Sequence, residues 1–200
     1  MAYQLMWYKT EIPKDIVDIF IRDSQKFQKD LKRAGVGKDE DNFLPVRDSK
    51  CSWISDNHWI SGMCYHYLLK ANMENFKYDI DLIGNKEIQY TSYDTGEYYN
   101  WHVDTSTSIQ HGDTGNRELD FIKYNSQKVR KLSFSVQLSD PEDYTGGELQ
   151  ILSDENISYF APKTRGTIII FDSRMRHRVR KVTSGCRKSL VGWVEGPTWK

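Results

Sequence analysis

Residues 131–140, KLSFSVQLSD, alternate without a break. Leu132, Phe134, Val136 and Leu138 take one parity; Ser133, Ser135 and Gln137 take the other. Period two is the side-chain repeat of a β-strand, so the stretch predicts a strand with one apolar and one polar face. From residue 77 onward, KYDIDLIG, KEIQYTSYD, GELQIL, GTIIIFD, RHRVRKV and KSLVGWVEG read as further short strands, separated by Gly, Asp and Asn. Many short strands punctuated by turn residues predict a sandwich or jelly roll. Two helical stripes precede them. One runs from Pro13 to about Lys32 and the other, capped by Ser55 or Asp56, to about Asn75. The expected fold is mainly β with N-terminal helices (α+β), one domain over 1–200. A helical buttress at 1–76 would support a jelly-roll core at 77–200.

Charge bounds the partners. Lys plus Arg and Asp plus Glu number 28 each, so the formal net charge is zero and no global field recruits a polyanion or an anionic membrane. A local basic patch leaves a nucleic-acid substrate open. No run approaches the roughly eighteen consecutive apolar residues of a membrane helix. The opening MAYQLMWYKTEIPKD has no basic head followed by an apolar stretch. Cys51, Cys64 and Cys186 are widely spaced, with no CxxC pair. These features lead to the expectation of a cytoplasmic protein with reduced thiols, in the host cytoplasm if the source is viral.

The chemistry concentrates around YNWHVDTS at 99–106. Residues i and i+2 of a strand point the same way, about 6.6 Å apart along its axis, so His102 and Asp104 can face one pocket. Two protein ligands make a weak metal site, so a third is sought among the other histidines. His58 and His66 fall in the second helical stripe, and His111 lies in the polar loop STSIQHGDTGN. His177 instead follows the apolar strand TIIIFD, where a jelly roll returns beside its first strands. Two imidazoles and one carboxylate are the ligand set of non-haem Fe(II) oxygenases, and zinc accepts the same three donors. Ten residues past His177, Arg187 shares a strand face with Ser189, Val191 and Trp193. A guanidinium fork beside a hydroxyl on an inward face suits a deeply held carboxylate, such as that of 2-oxoglutarate, whose other end chelates iron.

With these residues in place the chain resembles the prolyl 4-hydroxylase-like branch of the Fe(II)/2-oxoglutarate dioxygenases, in its short phage and bacterial form. YDTGEYYNWHVD is similar to that branch's Y-x-x-G-x-x-Y-x-x-H-x-D, with Tyr93, Gly96, Tyr99, His102 and Asp104 in register. HRVRKVTSGCR is similar to its H-x-V-x-x-V-x-x-G-x-R, through His177, Val179, Val182, Gly185 and Arg187. Between them, RKLSFSVQLSD and TGGELQI resemble the central strand and the Gly-Gly turn. The likeness spans about residues 80–195 and implies a double-stranded β-helix.

The resemblance also implies roles. His102, Asp104 and His177 would bind Fe(II). Arg187 would pair with the far carboxylate of 2-oxoglutarate, touched also by the Tyr93 hydroxyl, with Ser189 as a helper. Gln137 stands where prolyl hydroxylases commonly carry a tyrosine near the cosubstrate, a departure from the pattern. Arg130 aligns with an arginine that some members use in peptide binding, although strand parity turns it away from Gln137. The implied reaction is hydroxylation of a C–H bond, with 2-oxoglutarate decarboxylated to succinate and ascorbate sustaining turnover. The implied substrate is a prolyl residue in a peptide or protein. Alternatives are a dioxygenase of nucleic acid or of a free amino acid, a zinc hydrolase, and a non-catalytic metal-binding jelly roll. Arg174, Arg176, Arg178 and Arg180 form a basic run around His177, read as a solvated face or as a groove for an acidic partner.

Overall fold

The computed structural model describes residues 6–9, 13–34, 46–84, 87–104, 128–153 and 156–199. Of the loops expected at 35–50 and 105–127, residues 35–45 and all of the second, with His111, lie outside the described residues.

In chain order the elements are β1 (Met6–Lys9), α1 (Lys14–Gln25), β2 (Lys32–Arg33), β3 (Arg47–Asp48), β4 (Lys50–Ile54), α2 (Trp59–Ala71), β5 (Ile88–Asp94), β6 (Tyr98–His102) and β7 (Lys128–Gln137). They continue with β8 (Tyr144–Gly146), β9 (Leu149–Leu152), β10 (Ser158–Phe160), β11 (Ile168–Asp172), β12 (His177–Val179) and β13 (Val182–Pro197). Two antiparallel sheets result. The larger has the order β1-β11-β7-β13-β5-β4-β2, with β8 paired to β13; the smaller has the order β10-β9-β12-β6-β3. The jelly-roll expectation is met.

The larger sheet explains how the helices and the pocket share one scaffold. Its outward residues, among them Ile54, Tyr90, Leu132, Phe134, Val136, Ile168, Ile170 and Leu190, pack on Val17, Phe20 and Ile21 of α1 and on Ile60, Cys64 and Leu68 of α2. This apolar layer is where the folding energy concentrates. The opposite face carries Ser133, Ser135 and Gln137 of β7, paired with Trp193, Val191 and Ser189 of β13. These polar residues are buried as well: β7 is closed from solvent from Val129 to Gln137. The alternation in KLSFSVQLSD therefore separates two interiors rather than an inside from an outside.

Four expectations need correction. Residues before 77 are not helical throughout; β1, β2 and β4 extend the larger sheet and β3 edges the smaller one. The first helical stripe stops at Gln25, tightens into a 3-10 turn over Lys26–Asp30, and gives way to β2. The second starts later than expected, capped by the ring Nδ1 of His58, which accepts from the Ile60 N–H at 3.3 Å. KYDIDLIG forms no strand. It crosses the end of β13, where its one ladder-like bond is Asp81 N–H to the Glu195 carbonyl at 2.8 Å, and alternation alone cannot make a strand without a neighbour to pair with. Conversely, the stretch from Val182 through KSLVGWVEG is one continuous strand. It passes Asp143 at Gly185, whose φ is +75° and where a Cβ would sit 2.0 Å from the Asp143 carbonyl oxygen.

Candidate active site

His102 ends β6 and His177 begins β12, and the two are direct partners across the antiparallel pair. Asp104 follows two residues after His102, its N–H bonded to the Ser173 carbonyl at 2.9 Å. The three side chains converge. Asp104 Oδ2 lies 3.2 Å from His177 Nε2, Oδ1 lies 3.6 Å from His102 Nε2, and one ligand atom from each residue falls within 4.8 Å of the others. Both rings are held by their far nitrogen. His102 Nδ1 meets the Asn100 carbonyl at 2.7 Å and His177 Nδ1 meets the Met175 carbonyl at 2.9 Å. A carbonyl accepts only, so each Nδ1 carries the proton and each Nε2 lone pair is aimed at the shared centre. Two imidazoles and a carboxylate with pinned tautomers fit a metal ion.

Burial and the shared carboxylate set the electrostatics of the three side chains. Burial, with the neighbouring His177 second, pushes the His102 imidazole down to about 3, so this ring is neutral. Burial also pushes the His177 ring down, but Asp104 beside it outweighs burial and the net shift is upward. Asp104 is opposed by burial, yet His177 and His102 hold its carboxyl well below the usual carboxylate range. Ser133 donates to Asp104 Oδ2 at 2.8 Å and lies 2.9 Å from the Ser173 hydroxyl, and the nearby Trp193 indole also helps lower the carboxyl. The Tyr99 ring stacks on His102, centroids 3.4 Å apart, and Arg47 sits over the Tyr99 ring at 4.9 Å.

Arg187 lines the same cavity as the three ligands. It is 1% exposed. Nη1 donates to Ser189 Oγ at 3.0 Å, Nη2 donates to Gln137 Oε1 at 3.1 Å, and the Tyr144 phenol lies near the guanidinium. Nε is buried with no partner, as is the Ser135 hydroxyl on the same wall. A guanidinium carries five N–H donors, and a buried cation with no carboxylate beside it among the described residues calls for an anion. A dicarboxylate ligand answers that need. Tyr93 pairs with Arg187 across β5 and β13, its ring centroid 5.6 Å from the guanidinium carbon. Gly147 makes room: a Cβ there would lie 3.1 Å from Arg187 Cδ. Phe171, Leu149, Val179 and Val191 complete an apolar lining.

The structure thus gathers His102, Asp104, His177, Arg187, Tyr93, Ser189 and Gln137 at one site. Arg130 departs from the parity argument. β7 and β13 stay in step down to Val194 and Leu132, then skip Lys131 and pair Glu195 with Arg130. That extra residue is a β-bulge, and a one-residue slip exchanges faces. Arg130 is therefore turned to the pocket side, where it bonds Glu87 at 3.1 Å and covers the Trp193 ring at 3.9 Å. Sequence reasoning missed Tyr144, which brings a phenol to the guanidinium from β8, and Arg47. Neither belongs to a spaced motif. The basic run divides its contacts: Arg174 pairs with Asp172, Arg178 bonds Gln150 and covers Trp101, and Arg180 lies 3.7 Å from Glu148. Arg176 is exposed.

A model of the 2OG-Fe(II) oxygenase superfamily matches residues 88–195, more than half of the chain. A PKHD-type hydroxylase of Psychrobacter sp. is 34% identical over 107 residues, covering 53% of this chain and 36% of that protein. Another, from Picosynechococcus sp., is 46% identical over 65 residues, covering 32% of this chain and 29% of that one. The match to Psychrobacter thus takes in little more than a third of that relative's length. A prolyl-4-hydroxylase of Pseudomonas putida superposes with a TM-score of 0.67 at 17% identity, over 98% of this chain and 94% of that one. The viral collagen prolyl hydroxylase of Paramecium Bursaria Chlorella virus-1, in its 2OG complex, gives 0.63 at 18% identity, over 96% and 97%. At such identities the superpositions report the fold.

Proposed function

Because the chain belongs to the 2OG-Fe(II) oxygenase superfamily, we propose that it is an Fe(II)- and 2-oxoglutarate-dependent dioxygenase that hydroxylates a prolyl residue in a peptide or protein. The carrying observation is that one cavity holds both His102, Asp104 and His177 and the buried Arg187 with its unpartnered Nε. Iron bound there supplies the redox chemistry that couples O₂ and 2-oxoglutarate to oxidation of a C–H bond.

The chain's own residues do the rest. His102 and His177 present Nε2 because backbone carbonyls hold Nδ1–H. Ser133 fixes the Asp104 carboxylate. Arg187, steadied by Gln137 and Ser189, receives the far carboxylate of 2-oxoglutarate, with Tyr93 and Tyr144 beside it. Phe171, Leu149, Val179 and Val191 exclude water from the reacting end. The prolyl assignment is supported by relatives named PKHD-type hydroxylases and by likeness to prolyl hydroxylases, one from Trichoplax adhaerens in complex with a peptide fragment. Ascorbate is expected to sustain turnover in vitro.

The test has two stages. Anaerobic Fe(II) protein titrated with 2-oxoglutarate should develop a visible charge-transfer band; no band would sink the dioxygenase reading. Incubation with O₂ and proline-containing peptides should then add one oxygen at proline, mapped by fragmentation. Oxygen found only on lysine, asparagine, free proline or a nucleobase would overturn the prolyl-peptide assignment alone.

A further inference from the structure

The two sheets differ in width, and the difference opens a cleft beside the site. The smaller sheet ends at β3, while the larger continues past β5 to β4 and β2. Trp53 and Cys51 of β4 pair with Gln89 and Thr91 of β5, and those pair in turn with Val191 and Ser189 of the pocket wall. The pocket's inner face therefore runs on, uncovered by the second sheet, as the floor of a cleft of about 650 Å³. Lys29, Lys32, Arg33 and Arg47 are among the residues that line it.

Arg47 lines both this cleft and the candidate active site. Its guanidinium lies over Tyr99, which stacks on His102, and its hydrogen bonds go to Ser49 at 2.7 Å and Gln89 at 3.3 Å, both neutral. Among the described residues, four cations line the cleft against one acid, Asp30, and of the four only Arg33 has a carboxylate in ion-pair reach, Asp48 at 2.9 Å. Trp53, 39% exposed, adds an apolar face on the floor.

We infer that this cleft is a substrate subsite for an extended peptide segment bearing acidic side chains next to the residue that is hydroxylated. The inference rests on the peptide-hydroxylase reading above. A chain leaving the iron site past Arg47 crosses Gln89 and Trp53, and its carboxylates meet Lys29 and Lys32. A peptide fits better than a nucleic acid. The cations are few, an aspartate stands among them, and the chain's net charge of zero offers no field for a polyanion. Exposed pairs of this kind select a partner and its register more than they add affinity.

The full chain, loaded with Mn(II) and 2-oxoglutarate, is titrated with fluorescent proline-containing peptides whose flanks carry Asp and Glu, or Asn and Gln in their place. Acidic flanks should tighten binding roughly tenfold at low salt, and the advantage should fade toward 0.5 M salt, on the order of one Debye length of 4 Å. The Lys29→Glu, Lys32→Glu variant should invert the preference toward Lys-flanked peptides. Equal affinity for acid and amide flanks, or an acidic preference that survives the charge reversal, would overturn the subsite. So would a single-stranded oligonucleotide that displaces the acidic peptide at lower concentration. Because the readout is binding, it decides the cleft even if no peptide is hydroxylated, and that second result would count against the prolyl reading alone.

Discussion

His102 and His177 are cross-strand partners, their rings 4.1 Å apart at the seam of β6 and β12. Each histidine is placed by ladder hydrogen bonds of the other's strand, so the two imidazole donors are set by sheet register, while Asp104 follows just past the end of β6.

Replacement of His177 by Ala should abolish succinate production at ordinary iron concentrations and leave the circular dichroism spectrum near wild type. The apolar layer between the larger sheet and the helices does not include this residue. Full turnover by the variant would remove His177 from the ligand set.

Arg187→Ala should act on 2-oxoglutarate and leave metal binding in place. Two charge-assisted hydrogen bonds at about 1.5–3 kcal/mol each amount to about 3–6 kcal/mol, or roughly a hundred- to ten-thousand-fold weaker cosubstrate binding. Lys should recover only part of this, since it lacks the fork that Ser189 and Gln137 steady. An unchanged 2-oxoglutarate titration would place the carboxylate elsewhere.

Ser133→Ala should weaken Mn(II) or Fe(II) affinity by about 10–100-fold, the usual scale for a group that orients a ligand. The Ser133 hydroxyl holds Asp104 Oδ2 and touches Ser173. Metal affinity within twofold of wild type would show that Trp193 and the Ser173 backbone suffice.

Asp172 gives the fold an acid limb. It is buried at the end of β11, accepting from Tyr78 at 2.6 Å and from Arg174 Nη2 at 2.6 Å. Burial raises its pKa, but Arg174 and Tyr78 outweigh burial and hold it below 3.8. A carboxyl depressed on folding adds stability that is present above the unfolded value and lost as pH falls through the folded one. Urea midpoints of the wild type should therefore drop below about pH 4. Asp172→Asn should lower the midpoint at neutral pH and flatten that acid drop; an unchanged acid limb would assign it to other carboxylates.

Sequence carried the site further than the fold around it. Arg187 was legible because period two puts it on one strand face with Ser189, and Asp104 because of its fixed spacing from His102, although β6 ends before it. Arg130 was misplaced because a bulge at Lys131 is a property of two strands together, and neither strand alone encodes it. KYDIDLIG looked like a strand for a related reason: alternation reports a pleat and not a partner. The polar parity of KLSFSVQLSD gave no sign that it would be buried, because burial there depends on the second sheet. Arg47 went unnoticed since its importance comes from standing between two hollows that only the folded chain creates.

The larger sheet therefore writes two messages on alternate letters. Along most of β7, even-numbered residues answer to the helix layer and odd-numbered ones to the pocket, and only Phe134 of the even set also reaches the pocket lining. A lineage built on this strand can revise its chemistry while its folding core stays constant, or the reverse. An inserted or deleted residue would exchange the two alphabets at a stroke, which is why the slip is found at Lys131, near the strand's start, and not beside Ser133 to Gln137.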